Sequence, residues 1–338
     1  MDLSLDFVKD TSSFERSDEL QYIIQSKIES QKNILGLIII QNGTIISESY
    51  YNGSSKESIR NIYSVTKSYI ATLIGQAIDK GIMYNVDSSF SKFIPKKIID
   101  YLDSLTLHDI LSLSSGLKDR YQYPSYINQP IDSLLSVELI NPGKFQYSNS
   151  ATHLNAHALF YASEMTPHQF ASRYLFPYLG IEEPRWDHGY LNINDGATNL
   201  YLNLRDMVKL GQLYIQNGYS GSNQILSTEW IHKATKSQVS TDYVNDPSYS
   251  PIYKIIAKLV GFYLPSGYGY LWWIPEIEDS FLAMGYGGQF ILVVPKYNLV
   301  IGTQSLLANK FYLNMLQSNR LLKTILYDLV PLFSNRDS

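Results

Sequence analysis

Cysteine is absent from all 338 residues. Disulfides, thiolate metal sites and a cysteine nucleophile are therefore excluded. Charge of one sign is also scarce: 27 Lys and Arg stand against 31 Asp and Glu, a formal net charge of −4. The cations are scattered, so there is no basic stripe to track a nucleic-acid backbone. Long apolar runs are missing too. LGLIII at 35–40 is far too short to span a bilayer. The opening MDLSLDFVKD is acidic where a secretory leader is basic. The chain is expected to be cytoplasmic, with no membrane and no nucleic acid as partner. There is no G-x-S-x-G elbow, P-loop or G-x-G-x-x-G. His153 and His157 stand four apart on an expected helix, but no H-E-x-x-H and no third ligand accompany them, so no metal is expected.

What is present begins with 45% hydrophobic residues, enough for a substantial core. Leu20, Ile23, Ile24 and Ile28 mark a helix within 14–31. Asn42-Gly43 is a type I′ turn signal between strands at 35–41 and 44–51. From Ser64 the pattern turns helical, with Ile70, Leu73, Ile74, Ala77 and Ile78 on one face and Gly81 placed to end it. Helices are expected at 106–114, 132–138, 150–163, 167–177, 204–217 and 227–237, with Arg205-Asp206 as a helix-start ion pair. Residues 239–267 have little period and read as a flap or insertion. Four β-rich runs follow: YGYLWWI, SFLAMGY, QFILVVP and LVIGTQS, the last two joined by a PKYN turn. A helix over 309–331 closes the chain. The expected class is α+β: one antiparallel sheet built from both chain ends, flanked by the terminal helices, with a mainly helical region inserted. The sheet part would span about 1–63 and 265–338, the helical part about 64–264.

The stretch YSVTKS, residues 63–68, opens the chemistry. Positions three apart share a helix face, so the Lys67 amine can reach the Ser64 hydroxyl. A serine hydroxyl needs such a base to act as a nucleophile. The helix start adds unpaired N–H groups that can hold an oxyanion. Lysine serves as a base only when burial or a neighbouring cation lowers its pKa. By itself S-x-x-K is a common pattern, and Ser is an ordinary helix-start residue.

Two further stretches supply context. NPGKFQYSNSA, 141–151, carries Tyr147 and Asn149 two apart, on one side of an extended backbone. A phenol beside an ammonium loses its proton more easily and could share base duty, then protonate the leaving group. Asn149 can bridge a lysine and a substrate carbonyl, or cap the helix that follows. GYGGQFILVVP, 285–295, places three glycines before a β-run. That pattern suits either close approach of a ligand, with the Gln289 N–H as a second oxyanion donor, or a tight hairpin.

In this order, S-x-x-K, Y-x-N and a glycine-rich strand motif, the chain resembles the serine β-lactamase-like hydrolases. That superfamily holds class C β-lactamases, penicillin-binding DD-peptidases, family VIII esterases and 6-aminohexanoate-dimer hydrolases. The likeness extends through LTLHDILSLSSGL (105–117), YLFPYLGIEEPRW (174–186) and DGATNLYLNLRDMVKLGQLYIQNG (195–218), from about Ile34 to Gln304. It implies a single β-lactamase/transpeptidase-like domain over 1–338. It implies Ser64 as acylated nucleophile, Lys67 as its activator, Tyr147 as general base and then acid, and Asn149 as the Y-x-N asparagine. Tyr286, Gly287 and Gly288 fall on the K-T-G positions, and Gln289 on the residue after, so the oxyanion hole would join the N–H groups of Ser64 and Gln289. The family's β-lactam enzymes carry Lys or His where Tyr286 stands. Its lack of charge points to a serine hydrolase of small esters or amides, acting through an acyl-enzyme without metal or cofactor. A DD-peptidase or β-lactamase is the alternative, and a catalytically idle binding relative the second. The loops at 118–131 and 239–267 would set the acyl and leaving groups.

Overall fold

The structure, a computed structural model, describes residues 8–9, 14–95, 104–119, 124–136, 138–182, 184–241, 254–255, 258, 261–277 and 279–334. Most of the expected flap at 239–267, and residues 120–123 of the 118–131 loop, lie outside the described residues. The strands in chain order are β1 (Val8–Lys9), β2 (Ile34–Gln41), β3 (Thr44–Tyr50), β4 (Arg60–Asn61), β5 (Tyr201–Leu202), β6 (Tyr219–Ser220), β7 (Asn223–Gln224), β8 (Val239–Ser240), β9 (Gly267–Tyr268), β10 (Trp273–Ile274), β11 (Phe281–Gly285), β12 (Gln289–Val294) and β13 (Leu299–Ser305). The α-helices are α1 (Ser17–Ile23), α2 (Val65–Asp79), α3 (Leu107–Leu111), α4 (Ile131–Leu135), α5 (Asn149–Ser163), α6 (Pro167–Tyr174), α7 (Phe176–Leu179), α8 (Leu204–Ile215), α9 (Thr228–Ala234) and α10 (Phe311–Thr324).

Nine of these strands form one sheet in the order β1-β3-β2-β13-β12-β11-β10-β9-β8. Its ladders are antiparallel except the short parallel pairing of β1 with β3. The chain ends meet where β2 pairs β13, with Ile40 opposite Val300. Asn42 and Gly43 both take positive φ, as a type I′ hairpin turn requires. β12 and β13 are buried along their whole length and β2 along all but its last residue, as strands covered on both faces are. α8 lies on one face of the sheet. Glycine makes this approach possible: a Cβ at Gly302 would stand 2.0 Å from Val208 Cγ1, and one at Gly211 2.7 Å from Ile291 Cγ2. α1 and α10 each run on into a π-helical turn, and each packs against the other's turn.

The expected α+β class and end-to-end sheet are present, with three differences. First, the region 64–264 is not a separate helical layer throughout, since α8 covers the sheet and β8 extends its edge. Second, YGYLWWI is not one strand but the hairpin β9–β10. Leu271 takes φ +59, and the Gly269 N–H bonds Trp272 O at 2.8 Å. The turn lets Trp272 bury its ring against Tyr214 and Phe281. Third, Arg205 and Asp206 do not pair with each other. Arg205 forks onto Glu48 of β3 at 2.6 and 2.7 Å, and Asp206 takes Lys209. No helix among the described residues is long and apolar enough to cross a membrane.

Candidate active site

α2 begins at Ser64, which occupies its N-cap position. The residue before it, Tyr63, holds φ +48, a left-handed conformation that disfavours a side chain. Its N–H is pinned by Asn61 Oδ1 at 2.8 Å. Asn61 Nδ2 in turn donates to Asn199 Oδ1 at 2.8 Å, and β4 pairs with β5. The approach to Ser64 is thus fastened to the segment 199–202.

One turn into α2 stands Lys67, 2% exposed. Its Nζ donates to Ser64 Oγ at 3.1 Å, Asn149 Oδ1 at 2.7 Å and the Ala197 carbonyl at 2.9 Å. All three acceptors are neutral. Burial lowers the lysine pKa to about 7, and the negative fields of Asp195 and Asp119 oppose that fall. The amine lies 5.0 Å from the centre of the Tyr147 ring. Tyr147 stacks on Trp273 at 5.7 Å. Burial holds its phenol pKa well above the usual range, and a hydrogen bond with Ser64 offsets part of the rise. The nearby lysine therefore does not turn this phenol into a ready base; the amine is the group poised near neutrality.

Asn149 does not cap α5. Ser148 does, accepting from the Ala151 N–H at 2.9 Å, which leaves the Asn149 side chain for Lys67. Asp119 secures the same helix start, accepting from Ser148 Oγ at 2.6 Å and from the N–H groups of Asn149 and Ser150 at 3.1 and 3.0 Å. Behind Lys67 the segment 195–199 wraps around the buried Asp195 carboxylate. Sequence reasoning found neither aspartate as part of the site. The hints were the DGATN stretch and, for Asp119, its place in the 118–131 loop expected to shape the substrate site. His153 and His157 lie buried on α5 with rings 4.8 Å apart, and His153 Nδ1 accepts from the Gly196 N–H at 3.1 Å.

The GYGG stretch is both things the sequence left open: a tight hairpin and a cavity edge. Gly287 and Gly288 take positive φ between β11 and β12. A Cβ at Gly285 would stand 2.5 Å from Ile62 O, so β11 lies directly against the approach to Ser64. Tyr286 stacks on Phe311 at 5.8 Å, and its hydroxyl accepts from Asn314 Nδ2 at 3.0 Å. Gln289 is not brought to the cavity. It is 1% exposed, and its side chain donates to Ser305 O at 2.9 Å and accepts from Ser305 N at 3.2 Å. The Gly288 N–H points at Gly285 O, so Gly285 faces β12. In the planar peptide between Gly285 and Tyr286 the N–H points opposite to that carbonyl, so the backbone N–H of Tyr286 points away from β12.

Together these elements line a cavity of about 1020 Å³. Ser64, Tyr147 and Asn149 lie at one end of it, and Phe262, Leu264, Trp273, Met284, Leu307, Phe311 and Met315 form its apolar walls. No charged side chain lines it among the described residues.

Comparison with known proteins follows this geometry. An uncharacterized protein of Alkalihalophilus pseudofirmus is 23% identical over 300 residues, covering 78% of this chain and 81% of its own. A candidate 6-aminohexanoate-dimer hydrolase from Bacillus anthracis superposes with a TM-score of 0.72 at 17% identity, over 98% of this chain and 88% of that one. A candidate beta-lactamase from Bacteroides dorei does so with a TM-score of 0.74 at 19% identity, over 94% and 98%. At these identities the structures establish a shared fold. The beta-lactamase family model matches residues 24–324, and the chain therefore belongs to the beta-lactamase family, a superfamily of serine hydrolases.

Proposed function

We propose that the protein hydrolyses uncharged esters or linear amides through an acyl-enzyme on Ser64. The observation that carries this reading is the buried Lys67 amine, held on Ser64 Oγ among neutral acceptors, where burial lowers its pKa to about 7. In its neutral form Lys67 takes the Ser64 proton as Oγ attacks the carbonyl carbon. The N–H of Ser64 and that of Tyr286, in place of Gln289, hold the oxyanion. Tyr147, a neutral phenol, gives its proton to the leaving oxygen or nitrogen as the bond to the acyl carbon breaks, and is reprotonated from the Lys67 ammonium. Water then attacks the acyl-enzyme, with Lys67 again taking the proton; as the bond from the acyl carbon to Ser64 Oγ breaks, the Lys67 ammonium returns that proton to Oγ and the acid leaves.

The substrate class follows from the walls. The Tyr286 side chain offers no cation to the cavity, and its hydroxyl is occupied by Asn314. A buried carboxylate would find no charged partner among the described lining residues. This favours neutral, partly apolar esters and amides over penicillins and over peptides ending in a free carboxylate. The test is intact mass spectrometry after mixing with p-nitrophenyl butyrate and, separately, benzylpenicillin, with Ser64→Ala beside. A butyryl adduct or ester turnover that vanishes in the variant is expected, with activity lost as pH falls below about 7 and Lys67 becomes charged. Penicillin turnover equal to ester turnover would overturn the substrate assignment. Absence of any adduct or turnover with that ester, with benzylpenicillin and with the linear amide p-nitrobutyranilide would overturn the enzyme reading in favour of an idle relative.

A further inference from the structure

Asp195 does not line the cavity that holds Ser64, yet it is fully buried and surrounded by donors. Its Oδ1 accepts from the Ala197 N–H at 2.9 Å, its Oδ2 from Asn199 Nδ2 at 2.8 Å and Thr198 Oγ1 at 2.6 Å, and both oxygens from the Tyr126 hydroxyl at 2.9 Å. Each oxygen faces a nitrogen that can only donate, so the group is held as a carboxylate. Burial raises its pKa, and the Thr198, Ala197 and Tyr126 hydrogen bonds and the Lys67 charge oppose the rise. An ionised carboxylate enclosed this way needs a compensating cation. The one its field acts on is Lys67, with which it makes no contact.

Two routes lead from this carboxylate to the reactive pair. Through the Ala197 N–H it sets the peptide whose carbonyl receives Lys67. Through Asn199 it sets Asn61, which holds the N–H of Tyr63 beside Ser64. We infer that Asp195 is a positioning residue for the Ser64–Lys67 pair, fixing both members through the 195–199 segment and biasing the lysine amine by its charge. This rests on the role proposed above for Lys67. The other groups facing the amine are Tyr147, neutral at working pH, and Asp119, which is engaged with the start of α5. His153, behind the segment, is kept neutral by burial.

The experiment compares the full chain with Asp195→Asn and Asn199→Gly. Asn199 holds φ +65, so glycine keeps the backbone while losing the link to Asn61. Two readouts are taken: the pH profile of Ser64 acylation by p-nitrophenyl butyrate, and the NMR titration of ε-13C-labelled lysine, with Lys67→Met assigning the signal. Asp195→Asn should slow acylation at least about tenfold and move both the acid limb and the Lys67 midpoint to lower pH. Asn199→Gly, which keeps the charge, should slow acylation while leaving both midpoints in place. Unmoved midpoints in Asp195→Asn would reduce Asp195 to a loop anchor and overturn the inference. A parental rate in Asn199→Gly would do the same, and that variant decides the matter if Asp195→Asn does not fold. Failure of the parent to acylate would instead sink the proposed function, while the NMR titration would still read the Asp195–Lys67 coupling.

Discussion

Lys67 and Lys209 are the two buried lysines among the described residues, and they do opposite things. Each sits in a long helix, and each donates to a backbone carbonyl: Lys67 to Ala197, Lys209 to Gly180 at 2.8 Å. Their remaining partners differ. Lys209 has a carboxylate in contact, Asp206 Oδ1 at 2.7 Å on the same helix, and is an ion pair that ties α8 to the end of α7. Lys67 has an amide oxygen and a hydroxyl, with its carboxylates held at a distance by cages of other donors. Contact with a carboxylate makes a buried lysine a strut. Neutral contacts with remote carboxylates, and a pKa that burial lowers to about 7, suit a buried lysine to the role of base proposed above.

The comparison can be broken most severely at Lys67. Lys67→Met should lower ester turnover by about 10³-fold or more, within the range seen for loss of a general base. Its thermal stability at pH 6 should be no lower than the parent's. The sign follows from the lysine pKa of about 7, below the ordinary 10.5. Between those values the unfolded chain binds the extra proton, so stability rises with pH across that window, and below about 7 the full cost of burying the ammonium is present. A methionine removes that cost. A lower melting temperature at pH 6 would make Lys67 a structural residue like its counterpart.

Asn149→Asp turns one lysine into the other by placing a carboxylate on Nζ. The Lys67 pKa should rise, and turnover at pH 7 should fall roughly ten- to a hundredfold, with recovery at more alkaline pH. A uniform loss at all pH values would mean that Asn149 acts on substrate rather than on the lysine. The smallest effect is expected at the strut. Lys209→Met leaves Asp206 without its cation and should cost about 2 kcal/mol in urea unfolding, while turnover per folded molecule stays at the parental level. A loss of turnover without loss of stability would blur the distinction between the two lysines.

The half of the site that lies close in sequence was legible beforehand. Ser64 and Lys67 share a helical face, and the period of α2 fixes that face; Tyr147 and Asn149 follow from two-residue spacing. The Asn42-Gly43 turn and the strands after residue 280 were readable from local chemistry in the same way. Asp119 and Asp195 were not, because what makes them matter is the burial that closes around Lys67 from segments 52 and 128 positions away. Gln289 was misplaced for a related reason. Backbone direction alternates with every residue of a strand, so the hairpin register decides whether the N–H of position 286 or 289 meets the cavity, and GYGG permits more than one register. YGYLWWI carries strong β-propensity, but burying Trp272 bends it into a turn. The amphipathic period of 204–217 announced a helix without saying which layer it covers; that is settled by where Gly302 and Gly211 let it approach.

The join of β2 to β13 has a consequence for how the chain is made. Ile40 and Val300, opposite each other in that ladder, are separated by about 260 positions. At roughly 5–20 residues per second on a ribosome, β2 waits about 10–50 seconds for its partner strand. During that time the LGLIII edge presents unpaired backbone and β-branched side chains, the features that recruit unwanted strand pairing. The β2–β3 hairpin thus carries an open strand edge in the nascent protein, and that edge closes only when the last strand arrives.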